Sequence, residues 1–139
     1  MSILQDLKNK EEIVSQIEQE AEGYFRSKKM NCAEAVLLSM KNRLRPDLTD
    51  DITRIAAGFG GGSASGCICG ALAGATMGMG LVLHEDRKAL AKLTRELHKW
   101  FAATYGATCC RIVTGEHKGI CASLAGRVAG KAVELLLQL

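Results

Sequence analysis

The sequence predicts an all-α fold: a compact single-domain helical bundle of about five to six helices, with a glycine-rich loop between two of them. Three observations point there. Apolar residues recur at three- and four-residue steps in several segments, and no segment alternates with period two between hairpin turns. Aromatic residues make up only 4% of the chain while alanine, leucine and glycine dominate, which favours close-packed helices over a sheet sandwich. A chain of 139 residues that is 47% apolar and holds one proline can bury a core without covalent staples. No linker or repeat divides it, so residues 1–139 read as one domain.

The elements follow in order. Ile13, Ile17, Ala21 and Tyr24 form the apolar stripe of a helix from about Leu4 to Arg26, with Leu4 and Leu7 upstream. Asn31 reads as a helix cap with Glu34 three residues on, a reciprocal capping pattern for a helix from Cys32 to about Leu44. Val36, Leu37 and Met40 line its apolar side, and Pro46 lies just past its end. Thr49 is placed to cap a short helix through Ala57, with Asp50 and Asp51 in its first turn. Residues 58–66 form the glycine-rich loop. A helix from near Cys67 to Leu83 carries Gly70, Gly74 and Gly78 on one side, where another backbone can approach. Glu85 to Tyr105 repeats Leu90, Leu93, Leu97 and Phe101, with Trp100 on its flank and Gly106 as its stop. Thr108 is placed to cap a short segment through Ile112. Cys121 opens a last helix to about Leu136, with Leu124, Val128, Ala132 and Leu135 inward.

Composition excludes several classes. Eighteen basic against fifteen acidic residues leave a net charge of +3, too little to imply a nucleic-acid partner. Ile55 to Leu83 carries no charge and is long enough to cross a bilayer, but nine glycines fall between Gly58 and Gly80. Such a run would leave backbone polar groups facing lipid, so a buried loop and helix are expected and no membrane insertion. The opening segment lacks a basic stretch followed by an apolar core, so no secretory leader is expected and the chain reads as cytoplasmic. In that reducing compartment structural disulfides are not expected, and six cysteines point to redox or metal chemistry.

The placement of those cysteines is the most informative feature. Cys32, Cys69, Cys110 and Cys121 each fall at or near a helix start. Unpaired N–H groups there favour a thiolate and lower its pKa, which suits a redox thiol or a soft-metal ligand. Free cysteines are also often plain small apolar core residues, the alternative for any one of them. There is no C-x-x-C, no zinc-finger spacing and no ferredoxin run. The local pairs Cys67-Ile-Cys69 and Cys109-Cys110 can each bring one or two ligands to a shared centre, joined by Cys32 and Cys121. Thiolates suit an iron–sulfur cluster, zinc or Cu(I) alike. The glycines Gly60, Gly61, Gly62, Gly66 and Gly70 are candidates to wrap backbone N–H groups around a thiolate or sulfide. Without a preceding strand or a following lysine, the loop does not read as a nucleotide site. Of the histidines, His84 reads as a helix-end residue, His98 as exposed and His117 as an auxiliary ligand. Arg111 is placed either to lower a thiol pKa or to meet a carboxylate. Met77 and Met79 read as core.

NCAEAV at residues 31–36, AGFGGG at 57–62, the C-G-A-x-x-G hexad Cys69–Gly74, Cys110-Arg111 and the final Cys121 occur in one order. Together they resemble the redox-active family named C_GCAxxG_C_C after its cysteine pattern, over most of the chain. The resemblance implies that Cys32, Cys69, Cys110 and Cys121 are the family's cysteines. Cys67 and Cys109 are then additions: extra ligands, resolving thiols or bystanders. The family is similar to the non-haem iron–sulfur part of split-Soret cytochromes. This chain has no C-x-x-C-H haem attachment, so only that part can be shared.

The leading expectation is a redox-active protein with an iron–sulfur or other thiolate-ligated centre, serving electron transfer to a redox partner protein. A metal-free thiol/disulfide oxidoreductase and a structural zinc or interaction protein are the alternatives. The apolar last helix and the small-residue helix face are also compatible with a homodimer.

Overall fold

In the computed structural model, which describes residues 3–116 and 119–139, six α-helices follow one another with no strand among the described residues. They are α1 (Ile3–Arg26), α2 (Cys32–Leu44), α3 (Gly70–Leu83), α4 (Arg87–Tyr105), α5 (Cys110–Glu116) and α6 (Cys121–Leu137). A 3-10 helix (Asp50–Phe59) and a tight turn (Gly62–Gly66) join α2 to α3.

The all-α expectation holds, and α6 explains the arrangement. It lies along α1 and also touches α2, α3 and α4. Ala125, Val128, Ala129, Ala132 and Val133 of α6 are fully buried, so its apolar face is consumed inside the chain. Gly126 and Gly130 let α1 close on it: a Cβ at Gly126 would stand 2.7 Å from the Glu18 carbonyl oxygen. Ile17 and Ala21 of α1, Val36 and Met40 of α2, Leu72, Ala75 and Met79 of α3, and Leu97 and Phe101 of α4 complete the core at 0% exposure. Burying each large side chain of this set contributes about 1.5–3 kcal/mol.

The glycine face of α3 does what its spacing predicts. Gly70, Gly74 and Gly78 all face α2, where a Cβ would run into Cys32, Ala33 and Met40 respectively. The charge-free run that raised the membrane question is thereby divided. Its helical part, α3, has 14 residues and is about 21 Å long, short of a bilayer core. No helix among the described residues is long and apolar enough to cross a membrane.

Local signals set most boundaries. Asn31 and Glu34 form the capping box: the Glu34 N–H donates to Asn31 Oδ1 at 2.9 Å, and the Asn31 N–H to Glu34 Oε1 at 3.1 Å. The Asn31 amide also donates to the Ala57 carbonyl at 2.9 Å, tying the start of α2 to the 3-10 helix. At the other end of α2, buried Lys41 reaches Asp50 at 2.9 Å and holds the start of that helix. Gly106 ends α4 in the left-handed region (φ 84°), as its place in the sequence implies.

Some expectations shift. Thr49 makes no side-chain cap bond, and the segment it precedes is a 3-10 helix that runs on to Phe59. The cap of α4 is Asp86, whose carboxylate accepts from the Ala89 N–H at 3.1 Å. His98 is half-buried, because its Nδ1 bonds the Thr94 carbonyl one turn back at 2.8 Å. His84 ends α3 as expected. His117 lies outside the described residues.

Candidate functional site

Four helix starts carry a free cysteine each. Cys32 is the first residue of α2, Cys69 the N-cap of α3, Cys110 the first residue of α5 and Cys121 the first of α6. Cys69 is buried and the other three are half-buried. The α2–α3 contact brings the first two together: a Cβ on Gly70 would stand 2.6 Å from the Cys32 sulfur. Phe59 O would be 2.8 Å from the same Cβ, so glycine at 70 leaves the pocket in which that sulfur sits.

The glycine turn brings in the third. Gly61, Gly62, Ser63 and Ala64 all have positive φ (66°, 67°, 57° and 53°), a left-handed stretch in which Ser63 and Ala64 each cost about 1–2 kcal/mol. The Cys67 N–H closes it on the Gly62 carbonyl at 2.9 Å. A Cβ on Gly62 would meet the Cys67 backbone nitrogen at 2.5 Å and Cys110 Cβ at 2.8 Å, and one on Gly66 would meet Arg111 Cβ at 3.1 Å. Of the glycines expected to cradle a centre, Gly61 aims its N–H at the Cys32 sulfur. Gly62 and Gly70 sit against the thiol-bearing segments, while Gly60 packs on Asn31 and Gly66 on Arg111. Arg111 itself is exposed and makes no ion pair among the described residues.

Cys32, Cys69 and Cys121 each carry a pKa raised in part by a neighbouring cysteine. Burial pushes the Cys32 thiol up, negative charge at Cys121 and Cys110 adds to the rise, and the Gly61 and Ala33 N–H groups oppose it. Burial also pushes Cys69 up, to about 11; the Leu72 and Ala71 N–H groups act in the lowering direction, and Cys32 and Cys110 raise it. Cys121 is raised by burial first and then by Cys110. The expectation that helix starts would lower these pKa values is therefore corrected for Cys32, Cys69 and Cys121. The amides do act, but loss of solvent and mutual repulsion outweigh them. Because the fold holds the Cys69 proton more tightly than the unfolded chain does, this contribution to stability is full below pH 9.0, the thiol's ordinary value. It is lost as pH rises to about 11. We expect the metal-free protein, with the Cys67–Cys109 disulfide intact, to lose urea resistance across that window while a thiolate ultraviolet step develops above pH 9.0, with its midpoint toward about 11. A titration in which every thiolate midpoint lies at or below pH 9.0 would contradict it.

Cys67 and Cys109, expected as additional ligands, are joined to each other in a disulfide, so neither presents a thiolate. They are 42 residues apart in the chain, but the Cys69 N–H bonds the Thr108 carbonyl at 2.8 Å and lays the two segments side by side. The expectation of no structural disulfide is corrected by the same contact. Among the described residues no three Cys, His, Asp or Glu side chains are grouped closely enough to hold one metal ion as they stand. The zinc reading thus finds no preformed tetrahedral site.

A cavity of about 330 Å³ leads to Cys121, lined by Phe25, Arg26, Lys28, Gly119 and Ala122. Sequence reasoning missed it, because the loop after α1 and the start of α6 are brought together only by the fold. A larger cavity of about 380 Å³ between α1 and α6 is lined by Val14, Glu18 and Leu137 and contains no cysteine. Only the smaller of the two is lined by a thiol.

The family model described as "Putative redox-active protein (C_GCAxxG_C_C)" matches residues 30–135. The chain belongs to this family. The matched span takes in all six cysteines and the starts of α2 to α6. No curated protein and no solved structure matches the chain. Membership in the C_GCAxxG_C_C family marks the chain as redox-active by the family's description.

Proposed function

We propose that Cys32, Cys69, Cys110 and Cys121 ligate an iron–sulfur centre through which the protein passes electrons to a redox partner. One observation carries this reading: Cys110 lies close enough to Cys32, Cys69 and Cys121, each at its own helix start, for its charge to act on all three thiols in the raising direction. A bound cation relieves that repulsion and takes up the thiolates, releasing their protons. A cluster shares its thiolates among several irons, two on each in a [2Fe–2S] centre and one on each in a [4Fe–4S] centre, so it suits four sulfurs that are not gathered around one point. The centre supplies one-electron chemistry. The chain supplies soft ligands, a buried setting, and N–H groups from Gly61, Ala33, Ala71 and Leu72 directed at sulfur, which tune a potential. The cavity at Cys121, with Arg26 and Lys28 on its rim, is where a partner protein would approach. A cytoplasmic setting fits the same reading.

A metal-free thiol/disulfide oxidoreductase is the second reading, favoured by a disulfide already formed beside Cys69 and Cys110. Raised thiol pKa values weigh against it, since the thiolate is the nucleophile. Anaerobic purification and reconstitution with ferrous iron and sulfide, followed by metal and sulfide analysis and a visible spectrum, tests the proposal. We expect two to four irons per chain, and loss of most of them in Cys69→Ser. A protein left colourless and metal-free would sink the first reading and leave the second.

A further inference from the structure

Cys67 and Cys109 stand two residues before Cys69 and one before Cys110, so their disulfide bridges the two segments that deliver those thiols. We propose that this disulfide is a dithiol-sensitive clamp that positions Cys69 and Cys110 in the thiol site. The proposal rests on the reading above, in which the four free thiols act together.

The dependence of Cys110 on the clamp follows from α5. That helix has seven residues, too few to be stable alone. Among its described side chains only Val113 is fully buried, reaching the main core, while Cys110 and Arg111 lie against Gly62 and Gly66 of the glycine turn. Cys69 is held toward the same place by the Cys69–Thr108 backbone bond. Without the covalent link, that bond and Val113 are left to keep residues 67–69 beside 108–110. Cys32 and Cys121 differ. They lie inside the first turns of helices of 13 and 17 residues rooted in the core, whereas Cys69 stands just outside the helical turns of α3, in the linked segment, so Cys32 and Cys121 do not depend on the clamp.

Opening needs a dithiol reductant. One of its thiolates attacks a clamp sulfur, breaking the Cys67–Cys109 bond and forming a mixed disulfide. Its second thiolate then displaces that sulfur. Two electrons and two protons end on Cys67 and Cys109 as thiols, and the reductant leaves as a cyclic disulfide. In a reducing compartment the state of the clamp would report the supply of dithiol.

The test uses the full, metal-free chain under anaerobic conditions. Unfolded without reductant, it should yield four alkylatable thiols, and six after dithiothreitol, with a mass-spectrometric cross-link between the Cys67 and Cys109 peptides. Six thiols before reduction would overturn the clamp. On the folded protein, iodoacetamide pulses resolved by peptide should label Cys69 and Cys110 about tenfold faster once dithiothreitol is added, and Cys32 and Cys121 within about twofold of their former rates. The Cys67→Ser/Cys109→Ser double variant should show the faster rates without reductant. If that variant is unfolded by circular dichroism, the wild-type pair with and without reductant decides alone. Equal acceleration at all four cysteines, or at none, would overturn the positioning role. Iron loading separates the two proposals. A clamp response in a chain that binds no iron and sulfide defeats the cluster reading only. Equal iron binding with the clamp open and closed defeats the clamp only.

Discussion

Removing the Cys67–Cys109 disulfide is expected to lower unfolding free energy by about 4 kcal/mol, since a link between residues 42 apart removes that much chain entropy from the unfolded state. For a chain of this size the melting temperature should then fall by something on the order of 10–20 °C. Cys67→Ser alone should show the whole effect, because either serine abolishes the bond. Dithiothreitol should destabilise the wild type by a similar amount and leave the Cys67→Ser/Cys109→Ser variant unchanged. Calorimetry or urea titration of the wild type and the double variant, each with and without dithiothreitol, and of Cys67→Ser reads all of this. A loss below about 1 kcal/mol, within the span of an ordinary surface change, would contradict the expected stabilisation. The size of the effect also bears on the site. The same link constrains the approach of α5, which has little buried surface of its own.

What could be read from the sequence was local. Asn31 and Glu34 announce the start of α2 because a capping box is made by residues three apart. Gly106 announces the end of α4 because only a residue tolerant of positive φ stops a helix that way. Once the helix starts are placed, the four cysteines at them follow, and so does the glycine face of α3. What stayed hidden depends on distant contacts. Nothing near Cys67 indicates Cys109, since their pairing comes from the register of residues 67–69 against 108. The pKa direction was misread for a related reason. Helix-start amides are visible in sequence, but the burial that outweighs them is a property of the packed molecule. The left-handed turn was legible only in its glycines; Ser63 and Ala64 carry no signal for positive φ, yet adopt it.

Gly74→Ala is expected to destabilise the protein by about 2–3 kcal/mol, although the same change in an open helix position is favourable. The new methyl would run into the Ala33 carbonyl oxygen and stand 3.1 Å from Ala33 Cα, and both are backbone atoms with no rotamer to escape into. Overpacking therefore outweighs the gain of about 1 kcal/mol in helix propensity. Gly80, in the same helix, separates the two effects: a Cβ there meets nothing within 4 Å, so Gly80→Ala should stabilise by about 0.5–1 kcal/mol. Urea midpoints that move in opposite directions would establish the close approach of α2 and α3. The same pair of variants tests the site. Ala33 follows Cys32, and its N–H acts on the Cys32 sulfur, so a displaced Ala33 carries Cys32 away from Cys69. Iron bound after reconstitution should fall in Gly74→Ala and hold in Gly80→Ala. If both variants load alike while only one is destabilised, the α2–α3 seam holds the fold together without setting the spacing of the thiols.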